Sequence, residues 1–258
     1  NPHGLIAGTE IIKSEYVNKN LKVISRLGVG IDNIKLDKKD QKRIKLYKSQ
    51  TTPALSVAEL VVGFMINSLR RISDSDRLMR DGIWEKNMGF LLSGKKVGII
   101  GLGNIGKTLL EICKGFNFQY LAYDKIHDEN LKRKYNVEYT DLKTLLNNAD
   151  IVTIHLNLNR DTRSLIGKQE IRHMKNHSIL INTSRGEIIN HDDLYNALKK
   201  KQIYYAALDV FEKEPYYGKL CELNNVILTP HIGSYSRELR NRMEIEAAEN
   251  IIRGINEV

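Results

Sequence analysis

The chain has 258 residues, 41% of them hydrophobic, enough to bury the core of one large domain or two medium ones, and two is the better prior. Its net charge of +9 comes from 40 Lys and Arg against 31 Asp and Glu, but the cations are dispersed and aromatic residues make up only 7%, which argues against a nucleic-acid partner. No apolar run approaches the ~20 residues of a membrane span, the N-terminal NPHGLIAGTE lacks a charged-then-apolar signal pattern, and Cys113 and Cys221 are too few for a disulfide or zinc framework. A cytoplasmic protein without membrane or metal partners is the expectation.

Short apolar segments alternate with amphipathic ones from end to end, the pattern of a parallel sheet covered on both faces. GLIAG, KVISR and IKLY read as strands before residue 50. Between them KLDKKDQKRIKLYK is dense in Lys but interleaved with Asp37 and Asp40, so it reads as a solvated helix face whose field concentrates anionic ligands. Ser56 to Glu59 form a capping box for a helix reaching about Arg71, with Leu60, Val61, Phe64, Met65 and Leu69 on its buried side. A second series follows, with strands KKVGII, FQYLAY, DIVTIHL, SILINTS, YYAALDV and NVILT. Its helices include NIGKTLLEICKGF, DLKTLLNN, KQEIRHM and HDDLYNALKKK, and a charged helix from Ser236 to about Ile255 ends the chain. The predicted layout is a small α/β portion, residues 1–54 with 234–258, and a larger doubly wound domain, residues 55–233, joined by two chain crossings.

Gly101, Gly103 and Gly106, with Asn104 and Ile105 among them, fit G-x-G-x-x-G between a strand and a helix, where the motif carries meaning. The first glycine permits a tight turn, the second lets backbone approach a pyrophosphate, the third allows close helix packing, and the helix N-terminus offers unpaired N–H groups to the anion. Asp124, about 20 residues on, suits a ribose 2′-hydroxyl and repels a 2′-phosphate, which favours NAD over NADP.

Three further strands end in reactive side chains, Arg185, Glu214 and His231. Reduction of a 2-oxo acid needs a cation to hold the carboxylate and polarise the carbonyl, and an acid to protonate the developing alkoxide. Arg185 has the permanently charged fork for the first task, His231 exchanges a proton near neutral pH, and a carboxylate at Glu214 beside the imidazole favours its charged form. Asp209 is placed to face a nicotinamide. Taken singly these are also readable as a surface Arg, an acid before Pro215 and a capping or packing His. Their order along one dinucleotide sheet favours the functional reading.

VGIIGLGNIG, YDKI, INTSRGEIIN, AALDVFEKEP and LTPHIGSYS, in order and spacing, resemble the motifs of the D-isomer-specific 2-hydroxyacid dehydrogenases, the family containing D-3-phosphoglycerate dehydrogenase, and the likeness covers almost the whole chain. It implies a Rossmann-type NAD domain with a smaller flavodoxin-like α/β substrate domain. It also implies Arg185, Glu214 and His231 as the catalytic set, Asp124 as ribose ligand, His155 and Thr183 lining the cofactor cleft, and Asp209 as a nicotinamide contact. RLGVGIDNI resembles the family's substrate loop, so Val29 and Gly30 are expected to hold a carboxylate through backbone N–H groups and Arg26 a second anionic group such as a phosphate. SVAEL and MRDGIWEK resemble the interdomain helix and the arm of a homodimer. The chain departs from the pattern at Asn157, where proline is expected, and at Lys48-Ser49-Gln50, where Asn-Thr-Pro is common. The first βα unit of the substrate domain is expected to be missing. The expected activity is phosphoglycerate dehydrogenase-like, with hydroxypyruvate or glyoxylate reduction as the alternative and a non-catalytic NAD-sensing dimer as the rival. Formate dehydrogenase is disfavoured, because the family places Gln there where Glu214 stands.

Overall fold

In the computed structural model, which describes residues 2–257, contacts divide the chain into Asn1–Ser56 with Ser234–Val258 and a second unit, Val57–Gly233. The first unit contains β1 (Gly4–Ala7), β2 (Ile12–Lys13), β3 (Val23–Arg26), β4 (Ile34–Lys35), α1 (Lys38–Arg43) and β5 (Lys45–Lys48). Strands β1, β3 and β5 form a parallel sheet in the order β1-β3-β5, and β2 pairs with β4 alone. The Lys-rich stretch contains α1, where Asp37 caps the N-terminus by accepting from Asp40 N at 2.8 Å and Asp40 pairs with Arg43 at 2.6 Å. Its acids hold the helix rather than merely spacing the cations.

The chain enters the second unit within the first turn of α2 (Ala54–Arg70). This helix begins two residues before the expected Ser56 cap, directly after Pro53, whose fixed φ suits a helix entry. Arg71, in the left-handed region at φ 52°, breaks the helix from α3 (Ile72–Arg80). Asp74 of α3 is buried and accepts from Arg71 Nε at 2.9 Å, Arg77 Nη2 at 3.1 Å and the Tyr205 hydroxyl at 3.3 Å. Then come β6 (Lys96–Ile100), α4 (Asn104–Ile112), β7 (Gln119–Tyr123), α5 (Glu129–Tyr135), β8 (Val137–Tyr139), α6 (Leu142–Asn148), β9 (Ile151–Ile154), α7 (Lys168–His173), β10 (Ile179–Asn182), α8 (His191–Lys199), β11 (Tyr205–Leu208) and β12 (Val226–Leu228). The chain returns to the first unit with α9 (Arg237–Asn256).

Strands of the second unit form one parallel sheet in the order β12-β11-β10-β9-β6-β7-β8. Side chains alternate faces along a strand, so Ile151, Ile179 and Ile181 join one core with Val61, Phe64, Met65, Ile99 and Leu109, while Val152, Ile154 and Leu180 join another with Leu145, Leu194 and Leu198. Burying such a side chain contributes ~1.5–3 kcal/mol, which makes the sheet a rigid frame for what hangs on its ends. In the first unit α9 packs on β1, β3 and β5. A Cβ at Gly254 would lie 2.8 Å from Val23 and from Tyr47, so helix and sheet meet at near-backbone distance. Among the described residues no helix is long and apolar enough to cross a membrane.

Candidate active site

The strand order reverses direction between β6 and β9, the point at which open parallel sheets leave a crevice beyond their carboxyl ends. The glycine loop lies there. Gly101 has φ +94°, and a Cβ on it would come within 2.7 Å of His155 O, so only glycine makes this turn. A Cβ on Gly106 would lie 2.9 Å from Gly101 O, which lets α4 start close against the loop. At Gly103, the residue capping α4, a Cβ meets nothing within 4 Å. A side chain there would fill the open space above Asn104 and Ile105, where the α4 N-terminus presents its amides. Asp124, at the end of β7, accepts from Leu102 N at 2.6 Å and from Ile126 N at 2.9 Å, which fixes it against the glycine loop. A carboxylate has about four acceptor positions, so two remain for ribose hydroxyls.

Two buried polar atoms at neighbouring strand ends, His155 Nδ1 after β9 and Thr183 Oγ1 after β10, have no hydrogen-bond partner among the described residues. Buried polar atoms are normally satisfied, and a dinucleotide in this crevice is rich in groups able to satisfy them. The His155 Nε2 lies 3.0 Å from Thr153 Oγ1, and burial pushes the imidazole down to about 3, so the ring is neutral near pH 7. Glycine cradle, orphaned atoms and Asp124 together fit NAD.

Loops after β10, β11 and β12 carry the remaining groups. Asn182, at the end of β10, accepts from Ser184 N at 3.0 Å and donates to Arg185 O at 2.8 Å, tying the turn that carries Arg185. The Arg185 guanidinium donates to Ser184 O at 2.7 Å. Gly186 follows, and a Cβ on it would fall 2.0 Å from Phe211 C, so the β10 and β11 loops touch backbone to backbone. Glu214 accepts from Phe211 N at 3.1 Å and meets His231 Nδ1 at 2.9 Å through Oε2. Burial alone would raise the Glu214 carboxyl. The hydrogen bond and charge of His231, Phe211 N and the Arg185 charge outweigh it and leave Glu214 below the usual carboxylate range. The ionised carboxylate only accepts, so Nδ1 carries the hydrogen, and Nε2 is the ring position that gains and loses a proton.

His231 has φ +55°, a left-handed conformation uncommon outside glycine. Asp209 holds it there, accepting from the Thr229 hydroxyl, Ile232 N at 2.8 Å and Gly233 N at 2.7 Å, while His231 N donates to Thr229 O at 2.9 Å. Burial pushes the Asp209 carboxyl up, against the pull of these donors and of His231. Where a nicotinamide contact was expected, the Asp209 oxygens are engaged in the His231 loop. Thr229 and Asn182, within the LTPHIGSYS and INTSRGEIIN segments but not singled out there, complete the arrangement.

The first unit differs from expectation at Arg26. Its guanidinium, expected on a substrate phosphate, is turned into its own loop: Nε donates to Asn33 Oδ1 at 3.0 Å, Nη1 donates to Leu27 O, and the residue is 8% exposed. Asn33 in turn donates to Gly8 O and Glu10 O, so the arginine closes a turn instead of standing away from it. Gly28, at φ +144°, lies beneath that guanidinium, Val29 is 42% exposed, and Gly30 is partly exposed.

Comparison with known proteins identifies the family. Residues 62–233 match the NAD-binding domain of the D-isomer-specific 2-hydroxyacid dehydrogenases. A hydroxypyruvate reductase of Thermotoga maritima is 39% identical over 241 residues, spanning 91% of this chain and 78% of that protein. A D-3-phosphoglycerate dehydrogenase of Archaeoglobus fulgidus is 37% identical over 238 residues, spanning 91% of this chain and 45% of that protein. Among solved structures, D-lactate dehydrogenase from Aquifex aeolicus, complexed with NAD and lactic acid, superposes with a TM-score of 0.86 at 26% identity, covering 99% of this chain and 83% of that one. The chain therefore belongs to the D-isomer-specific 2-hydroxyacid dehydrogenases, NAD-dependent enzymes that act on CH–OH donors.

Proposed function

We propose that this dehydrogenase reduces a short, unphosphorylated 2-oxo acid of the hydroxypyruvate or glyoxylate class to its D-2-hydroxy acid, with Arg185, Glu214 and His231 as its catalytic residues. The observation that carries the reading is the 2.9 Å pair of Glu214 with His231 Nδ1, which leaves Nε2 as the proton-exchanging atom on a loop of the cofactor sheet. The Gly101–Gly106 loop, Asp124, His155 and Thr183 would hold NADH, which when bound would supply the hydride that reduces the oxo group. Arg185 holds the substrate carboxylate through its planar fork and polarises the oxo group. His231 gives its Nε2 proton to the oxygen as negative charge develops there, and Glu214 stabilises the ring while it is charged. In the reverse direction the neutral Nε2 takes that proton back. Val29 and Gly30 serve the carboxylate through backbone N–H groups.

The inward-turned Arg26 favours the unphosphorylated substrate, and the 39% identity to a hydroxypyruvate reductase agrees. A phosphoglycerate dehydrogenase-like activity is the second reading, favoured by the presence of an arginine in this loop. The working form is proposed to be a cytoplasmic homodimer.

The test is NADH oxidation against hydroxypyruvate, glyoxylate and 3-phosphohydroxypyruvate. His231→Ala is expected to lower kcat/KM by about 10²–10⁴-fold while NADH still quenches fluorescence, and retention of wild-type turnover would remove the proton-donor assignment. A preference for the phosphorylated acid that Arg26→Ala abolishes would select the second reading.

A further inference from the structure

Outside the catalytic loops, one carboxylate in the first unit has an unusual set of partners. Glu246, on α9, accepts from three consecutive residues of the segment between β5 and α2: Ser49 Oγ at 2.5 Å, Gln50 N at 2.5 Å and Thr51 N at 3.2 Å. These contacts join positions 195 to 197 residues apart in sequence. Burial raises its carboxyl, but the donors from Ser49, Gln50 and Thr51 outweigh that and leave it below the usual range, so it is ionised near neutral pH. Charge-assisted hydrogen bonds of this kind are about twice as strong as neutral ones.

The network continues beyond the segment. Ser49, 3% exposed, donates its N–H to Gly28 O at 3.1 Å, and Gly28 N donates to Arg26 O at 2.9 Å. Glu246 is thus two links from the turn that presents Val29 and Gly30. Gly28 contributes no side chain to the turn and Val29 is exposed, so the Ser49 N–H on Gly28 O is a direct backbone restraint on it. A carboxylate-binding turn works through the aim of its amides, so whatever fixes Gly28 O fixes that aim.

We propose that Glu246 is a positioning residue: through Ser49, Gln50 and Thr51 it holds the 48–51 segment and, by the Ser49 to Gly28 link, orients the Gly28–Gly30 turn toward the substrate carboxylate. The proposal rests on the reading in which Val29 and Gly30 hold that carboxylate. Glu246→Gln is the discriminating change, because an amide keeps the size but, whichever way it turns, sets an NH2 donor against the N–H of Gln50 or of Thr51. Ser49→Ala removes one donor and the side-chain half of the link without touching α9, so it serves as the second variant.

Two measurements on the full chain decide it. Hydrogen exchange read on peptides spanning residues 26–32 and 46–53 is expected to quicken by about tenfold in Glu246→Gln, the loss of one charge-assisted hydrogen bond, with exchange along β9 to β11 unchanged. Steady-state assays are expected to show KM for the 2-oxo acid raised about five- to tenfold, kcat within about twofold of wild type, and NADH affinity unchanged, with a smaller effect of the same sign in Ser49→Ala. Unchanged exchange in both peptides would overturn the clamp itself. Faster exchange with an unchanged KM would overturn the proposal differently, by showing that the turn does not serve the carboxylate.

Discussion

Two histidines near the cofactor crevice have opposite surroundings, and chemistry follows from that difference. His231 has an ionised carboxylate on Nδ1, whereas His155 has a threonine hydroxyl on one nitrogen and a buried, unpartnered second nitrogen. With its pKa lowered from 6.5 to about 3, His155 stays neutral while an unfolded histidine takes up a proton over that interval. The unfolded chain then binds more protons, so stability falls as pH drops from about 6.5 toward 3, with a slope of up to ~1.4 kcal/mol per pH unit from this one group. His155→Asn is expected to flatten the acid side of the stability curve in urea titrations between pH 6.5 and 4, and to leave the pH profile of kcat/KM in place. A moved kcat/KM profile would show that His155 exchanges protons in turnover. The glycine fingerprint, Asp124 and the residue types at 185, 214 and 231 were legible from the chain alone, because strand ends and reactive chemistry coincide there. The direction of Arg26 was not, since it depends on Asn33, seven residues on, finding two carbonyls at Gly8 and Glu10.

Strands β6, β9, β10 and β11 are mostly apolar and, Lys96 apart, fully buried, and such runs announce themselves in sequence. Strands β2, β4 and β8 span two or three residues each and exist through their pairing partners, so local pattern is silent about them. Helix α3 was missed for another reason: the helix was expected to end at about Arg71, whose left-handed backbone instead separates it from a second helix that starts at once. The loops after β10 and β11 have the least tolerance in the second unit, because Gly186 leaves no room against the Phe211 backbone. Gly186→Ala would force two backbones apart, at a cost of about 3 kcal/mol or more. Chemical denaturation is expected to show that loss, together with reduced turnover from displacement of Arg185 and Glu214. A variant of wild-type stability would mean the loops part easily.

At the scale of the molecule, apolar side chains gather on one stretch of the second unit. Ile72, Met79, Trp84, Met88 and Leu91 are 51%, 53%, 80%, 91% and 77% exposed, all within residues 72–91. Exposed apolar area of this kind suits an interaction surface, and the homodimer proposed above would seat a second copy of the chain on it. Sedimentation equilibrium should give twice the 29.6 kDa chain mass, and Trp84→Asp combined with Met88→Asp should return it to 29.6 kDa. A wild-type chain sedimenting as a monomer would count against the proposed homodimer.

The seating of α9 on the first sheet through Gly254 also bears on how such a chain diversifies. Val23 and Tyr47 precede Gly254 by 231 and 207 residues in the sequence, yet they share a contact with no space for even a methyl group. A chimera that takes α9 alone from another chain would set a foreign helix on the resident strands, and any side chain at position 254 would collide there. Exchange of both segments of the first unit together, leaving residues 57–233 in place, is the graft that preserves the fit and transplants the proposed carboxylate turn intact.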